Sequence, residues 1–211
     1  MVLDKHRDTV EPLLLLVARR LTKIPPDVFT WFSLVFAFVA GVFFYVSDSG
    51  TELGTYFLFY ASLFVFLNGL FDALDGKVAK LAKKASKRGD FLDHAIDRYA
   101  DVFMVGGLAL STWTRPWIGL AAIVGMLLTS YMGTQAQAVG QKRDYSGLLG
   151  RADRLVLLMI FPIIQHMILR TSFVLPWETT VLEWVLIYFA VVGNITALQR
   201  FYSTLKWFRK Q

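Results

Sequence analysis

Nineteen consecutive residues, 28–46, carry no charge, and no other feature constrains this chain more. A run of that length is about what a helix needs to cross the hydrocarbon core of a bilayer. Further apolar runs follow at about 53–71, 91–113, 117–139, 155–169 and 181–203, the third of them interrupted by Asp93, Asp97, Arg98 and Asp101. Composition agrees, because 55% hydrophobic and 15% aromatic residues with a mean hydropathy of +0.50 is too apolar for a soluble domain of 211 residues. The expected fold is all-α and integral to the membrane, a single domain over 1–211 with six transmembrane helices bundled across 28–203.

A shorter helix is expected ahead of the first span. Asp8 or Thr9 supplies a cap, Glu11 and Pro12 fall in the first turn, and an apolar stretch at 13–18 ends in Arg19-Arg20. It is too short to span. A helix over 8–23 lying along the interface, with Arg19, Arg20 and Lys23 toward lipid phosphates, fits the pattern; a soluble N-terminal helix is the alternative. Pro25-Pro26-Asp27 then breaks the chain and opens the first span. The first twelve residues hold five charges and no apolar core, so no cleavable signal peptide is evident. The chain has no cysteine, which excludes disulfides, thiolate metal sites and cysteine nucleophiles.

The net charge of +6 is not spread evenly. With six spans both termini lie on one side, and twenty of the 22 lysines and arginines fall there, in the N-terminal segment, the 77–98 connection, the 142–154 connection and the tail. Only Arg115 and Arg170 fall on the other side. The positive-inside rule therefore makes the first side cytoplasmic, and the charge reports topology rather than a nucleic-acid partner. Trp113, Trp117, Trp177 and Trp184 are expected as interfacial anchors.

Six of the sixteen acidic residues, Asp72, Asp75, Asp90, Asp93, Asp97 and Asp101, crowd into one window at that cytoplasmic surface. Carboxylates at the ends of membrane spans are costly to desolvate and mark functional sites. Asp72 and Asp75 are three apart and Asp93 and Asp97 four apart, so on helices each pair presents both carboxylates on one face. Four carboxylates with no thiolate and no histidine pair make an all-oxygen site suited to Mg²⁺ or Mn²⁺, ions most often held together with substrate phosphates. Gly76 lets a bulky ligand approach the backbone, and residues 86–89 open the third span with amide N–H groups aimed at an anion. The plain alternative, that the acids pair with neighbouring lysines, accounts for Asp90 with Lys83 or Lys84 but not for two same-face pairs. It stands beside a functional role for Asp101. His94 is read as a polar residue on the adjacent helix face, with contact to a phosphate or sugar hydroxyl as the alternative, and His6 and His166 have no partner in sequence.

At these residues the chain resembles the CDP-alcohol phosphotransferases (CDP-alcohol phosphatidyltransferases), whose signature is D-x2-D-G-x2-A-R-x8-G-x3-D-x3-D. Asp72, Asp75, Gly76, Ala79, Gly89, Asp93 and Asp97 match it, with Lys80 where the family has arginine. The resemblance implies a homodimeric membrane transferase of the EC 2.7.8 type, with six transmembrane helices per subunit, that cleaves the diphosphate of a CDP-linked lipid. It implies that Asp72, Asp75, Asp93 and Asp97 hold Mg²⁺ or Mn²⁺, that Asp97 also deprotonates the acceptor hydroxyl, and that Asp72, Gly76, Lys80, Ser86, Gly89 and Asp93 bind the CDP moiety.

The acceptor, a small polar alcohol such as inositol phosphate or glycerol phosphate, is expected near Gln135, Lys142, Arg143, Arg151 and Arg154. The stretches 130–137 and 150–154 are similar to those of phosphatidylinositol-phosphate and archaetidylinositol-phosphate synthases. Gly133 and Gln135 stand where that branch usually carries basic residues. The look of Asp93-His94 and the 133–137 stretch is nearest to archaeal members, which implies an archaeol-based donor. Four rivals remain: a divalent-cation transporter, which buries its acids near the midplane in broken helices; a purely structural membrane protein, which predicts no metal dependence; a related membrane transferase using another CDP-alcohol donor; and an aspartate-rich prenyltransferase, which resembles longer chains.

Overall fold

The computed structural model describes residues 7–48, 50–142, 146–169, 171 and 179–209, with side chains from residue 11 onward. Seven helices occupy them: α1 (Arg7–Arg20), α2 (Pro26–Val46), α3 (Glu52–Leu81), α4 (Lys87–Ala109), α5 (Pro116–Ala138), α6 (Arg151–Leu169) and α7 (Val181–Phe208). There is no strand among the described residues. That is the solution a bilayer demands, because only intrahelical pairing satisfies every backbone N–H and C=O away from water.

Five of the helices, α2, α3, α5, α6 and α7, are long and apolar enough to cross a membrane. The expected third span is the exception. Helix α4 carries Asp90, Asp93, Asp97, Arg98 and Asp101 in its first fifteen residues, and only its last eight, 102–109, are apolar throughout. It also starts a turn earlier than 91 and ends at Ala109 rather than 113. Helix α1 is already helical at Arg7, so the cap expected at Asp8 or Thr9 lies inside its first turn.

Sequence signals account for the other boundaries. Pro25 and Pro26 start α2, and Thr51, Ser86 and Thr180 cap α3, α4 and α7 by accepting the N–H of the residue three ahead. Helix α6 begins at Arg151, ahead of the expected 155, and α7 runs on past 203 to Phe208. Helix α3 has 30 residues. At about 1.5 Å per residue it is ~45 Å long, which outruns a ~30 Å hydrocarbon core by roughly three turns. Those surplus turns contain Asp72, Asp75 and Gly76.

Helix α2 packs against α3 and α4, α5 against α4 and α7, and α6 against α3 and α7. The core is a continuous cluster including Ala40, Phe44, Leu58, Val65, Met104, Leu108, Met126, Leu158, Leu186 and Phe189. Small residues set the closest crossings. A Cβ on Gly107 would lie 2.0 Å from the Gly41 carbonyl oxygen, and one on Gly193 would lie 3.1 Å from the Gly125 carbonyl carbon, so α2–α4 and α5–α7 approach backbone to backbone. Helix α1 docks on the motif end of α3, where Ala18 packs with Phe29, Leu74 and Val78 and Glu11 pairs with Lys77. Leu13 and Leu16 on α1 stay exposed.

The opposite end of the bundle is tied by polar bonds. Trp113 is buried, donating its indole N–H to Ser47 Oγ at 2.7 Å, and its carbonyl accepts the Thr180 hydroxyl at 2.6 Å. Its expected role as an interfacial anchor is therefore corrected, because the ring is a strut between α2, α4 and α7. Trp117 and Trp184 are exposed, as anchors must be, and Trp177 and Arg170 lie outside the described residues. Arg115 meets Glu183 through its backbone N–H at 2.9 Å, its Nε at 2.7 Å and its Nη2 at 3.0 Å, fixing α5 to α7.

Candidate active site

The two same-face aspartate pairs converge. Asp72 and Asp75 lie in the surplus turns of α3, Asp93 and Asp97 in the first three turns of α4, and one carboxylate oxygen each from Asp72, Asp75 and Asp93 lies within 4.8 Å of the other two. Asp93, His94 and Asp97 form a second such trio. Helical spacing did this: i,i+3 on α3 and i,i+4 on α4 aim both pairs at the groove between the helices.

Beside them opens a cavity of about 340 Å³, lined by Pro25, Asp27, Thr30, Asp75, Gly76, Lys80, Ser86, Arg88, Gly89 and Asp93. A Cβ on Gly76 would meet nothing within 4 Å, so this glycine faces open space, as a ligand-approach position does. Ser86 accepts the Gly89 N–H at 3.1 Å and shapes the start of α4. Asp27 and Arg88 pair at 2.5 Å across the N-termini of α2 and α4. The residues expected to take a CDP moiety, apart from Asp72 on the neighbouring turn of α3, thus line one cavity, with Lys80 exposed at it.

The acids differ in surroundings. Asp75 is buried and accepts the Thr30 hydroxyl at 2.7 Å, a contact from α2 that the sequence reading missed. A hydroxyl residue at the third position of the 28–46 run was its only signal. Asp72 and Asp97 both meet Arg151 Nη1, at 2.6 and 2.7 Å. Asp97 also has Arg98 at 3.4 Å. Asp101 is buried against Arg154 at 2.6 Å, a charge pair between α4 and α6 that leaves both side chains 4% exposed. His94 lies 3.2 Å from Asp93 and 3.8 Å from Asp90, so the partner of exposed Asp90 is that histidine rather than Lys83 or Lys84.

Of the residues expected to meet the acceptor, Arg151 reaches the acids, and Arg154 is committed to Asp101. Gln135 is exposed on α5 and donates to the Tyr131 hydroxyl on the same helix, Lys142 is exposed, and Arg143 lies outside the described residues. A further buried arginine, Arg200, was read only as a tail charge. It donates to the Ser146 carbonyl at 2.9 Å and the Thr129 carbonyl at 2.6 Å, holding the segment that leads into α6. His166 is buried between the Tyr56 and Phe59 rings.

The donor set fits a hard divalent ion, since every atom the quartet offers is a carboxylate oxygen, and the adjoining cavity carries the lysine and arginine that a phosphate needs.

The chain is similar to the archaetidylinositol phosphate synthase of Pyrococcus horikoshii, 27% identical over 146 residues that cover 69% of this chain and 70% of the relative. It is also similar to the phosphatidylinositol phosphate synthase of Cutibacterium acnes, 28% identical over 188 residues and 84% of each chain. The fold matches that of Mycobacterium tuberculosis phosphatidylinositol phosphate synthase with CDP-DAG bound, with a TM-score of 0.71 at 24% identity over 92% of this chain and 94% of that one. A structure of that enzyme with manganese and citrate matches at 0.69, over 91% and 88%. The family model for CDP-alcohol phosphatidyltransferase matches residues 23–196, which take in α2 to α6, most of α7 and every aspartate of the quartet, and this chain belongs to that family.

Proposed function

We propose that this multi-pass membrane transferase moves the phosphatidyl or archaetidyl group of a CDP-linked lipid onto inositol phosphate or another small phosphorylated alcohol such as glycerol phosphate, releasing CMP. The observation that carries the reading is the convergence of Asp72, Asp75 and Asp93 to within 4.8 Å beside a cavity floored by Gly76. The relatives named for inositol phosphate acceptors support that class of alcohol. A cation transporter is disfavoured by family membership and by the position of the acids on the surplus turns of α3 rather than at the midplane.

Within this reading Asp72, Asp75, Asp93 and Asp97 hold Mg²⁺ or Mn²⁺, as divalent metals are used across the family. When bound, such an ion neutralises the diphosphate and the charge that gathers on the leaving CMP oxygen. The protein's own groups do the rest. Gly76 admits the nucleotide to the α3 backbone, Lys80 and Arg88 offset phosphate charge from the cavity wall, and Ser86 holds the first turn of α4 so that Gly89 and Asp93 face the ligand. Asp97, at the inner edge of the quartet, accepts the proton of the acceptor hydroxyl as it attacks the lipid-side phosphorus. Burial of Asp97 beside Arg151 keeps bulk water from competing for that position.

The finer topology follows the charge pattern: α4 serves as a sixth span with its polar half at the cytoplasmic surface, α1 lies along that surface, and both termini are cytoplasmic. The protein acts as a homodimer in the cytoplasmic membrane. Purified protein given CDP-diacylglycerol or CDP-archaeol, Mg²⁺ or Mn²⁺, and inositol phosphate, glycerol phosphate, inositol or serine in turn releases CMP with a phosphorylated alcohol. Absence of CMP with every pairing refutes the reading.

A further inference from the structure

Arg151 stands out among the basic residues near the acids. Its Nη1 bridges Asp72 on α3 and Asp97 on α4 at 2.6 and 2.7 Å, and its Nε lies 3.7 Å from Asp101. Yet the guanidinium is poorly satisfied. Nε and Nη2 are buried without a hydrogen-bond partner, although a guanidinium offers five N–H donors in a fixed fork. Asp101 does not depend on it, because Arg154 already neutralises that carboxylate at 2.6 Å. Nor does Arg151 touch the other half of the quartet: Asp75 is held by Thr30, and Asp93 by His94. The acids are thus divided into one pair cross-linked by a cation of the protein and one pair without it.

We infer that Arg151 is a built-in counter-cation that competes with the divalent ion for Asp72 and Asp97, so that loading the site displaces its guanidinium and breaks the link it makes from α6 to Asp72 on α3. The inference rests on the proposed role of the quartet in holding a divalent ion. The physical argument is one of shared atoms and opposed charge. Arg151 Nη1 lies 2.6 Å from an Asp72 oxygen and 2.7 Å from an Asp97 oxygen, so a divalent ion drawn to the same two carboxylates meets a resident positive charge, and two cations on one carboxylate pair repel. The unused donors of Arg151 mean that its departure to a wetter position recovers hydrogen bonds that it lacks in place. Only one fork arm is engaged, so the release is within reach of side-chain rotation, without unwinding of α6. That helix is anchored independently by the Gly150 N–H bond to Asp153 at 2.9 Å and by the Arg154–Asp101 pair.

The test uses the full chain in detergent micelles, with Mg²⁺ alone as the probe. Isothermal titration measures Mg²⁺ affinity, and thermal melting is followed with and without saturating Mg²⁺, for the wild type, Arg151→Gln and Arg151→Lys. Arg151→Gln binds Mg²⁺ about tenfold more tightly, as loss of one charge-assisted competitor implies. It melts at lower temperature than the wild type without Mg²⁺ and at the same temperature with it. Arg151→Lys, which keeps the charge but not the fork, falls between them in affinity. Unchanged or weaker Mg²⁺ binding in Arg151→Gln overturns the inference, as does an equal loss of melting temperature with and without Mg²⁺. In those cases Mg²⁺ binding that disappears in Asp75→Asn with Asp93→Asn leaves the metal role of the quartet standing. Absence of Mg²⁺ binding in every variant overturns both.

Discussion

Gly76 and Asp97 separate what a residue does for the fold from what it does for the ligand. A Cβ at Gly76 meets no atom within 4 Å, and the position is interior to α3. Gly76→Ala is therefore expected to stabilise the protein by about 0.5–1 kcal/mol through helix propensity while raising the KM for the CDP-lipid severalfold. A rise in both melting temperature and KM in the same variant is the signature. Asp97→Asn preserves shape and removes the proton acceptor, so CMP release falls by about 10²–10⁴-fold with the helical circular dichroism unchanged. Thr30→Val deletes the hydroxyl that bonds Asp75 and leaves a buried carboxylate without its donor, at a cost of about 1–3 kcal/mol.

At the level of elements, two devices place the aspartate pairs. The first is the backbone approach of α4 to α2. Gly107→Leu forces a side chain where even a Cβ falls 2.0 Å from the Gly41 carbonyl oxygen, so α4 must move outward; a loss of at least about 1–3 kcal/mol and a collapse of activity are expected, read by melting and CMP release together. The second is the Asp101–Arg154 pair between α4 and α6. Removing Asp101 takes from buried Arg154 its one carboxylate partner among the described residues, whereas removing Arg154 leaves Asp101 with Arg98 at 3.6 Å and Arg151 at 3.7 Å, so Asp101→Leu costs about 3–5 kcal/mol, Arg154→Met costs less, and the double variant recovers most of the Asp101→Leu loss. Recovery of stability in the double variant, measured in a thermal double-mutant cycle, identifies the pair as structural. Failure to recover assigns Arg154 a second duty.

For the whole molecule, the absence of cysteine makes topology directly measurable with single introduced thiols. Lys83→Cys, in the exposed connection between α3 and α4, and Trp117→Cys, at the exposed start of α5, are expected to react from opposite sides of sealed vesicles with a membrane-impermeant maleimide. Reaction of both from one face removes the sixth span from the reading and with it the shared cytoplasmic placement of the termini.

What the sequence determined by itself was whatever depends on neighbours along the chain. Apolar runs fixed five membrane-crossing helices to within a few residues at most ends, because length and hydropathy are local properties. The i,i+3 and i,i+4 spacing of Asp72, Asp75, Asp93 and Asp97 fixed which carboxylates share a face, because helical periodicity is local too. Helix α4 was harder to delimit, since its polar half owes its helicity to the Ser86 cap and to packing rather than to an apolar run. Tertiary structure alone decided which charges face one another across helices. Nothing in the chain between 72 and 151 announces that Arg151 bridges Asp72 to Asp97, that Arg154 is consumed by Asp101, or that Trp113 is buried against Ser47 rather than exposed at the interface. Those pairings join residues more than fifty positions apart, and they are set by which helices the close glycine crossings bring together, a condition that no window of sequence contains.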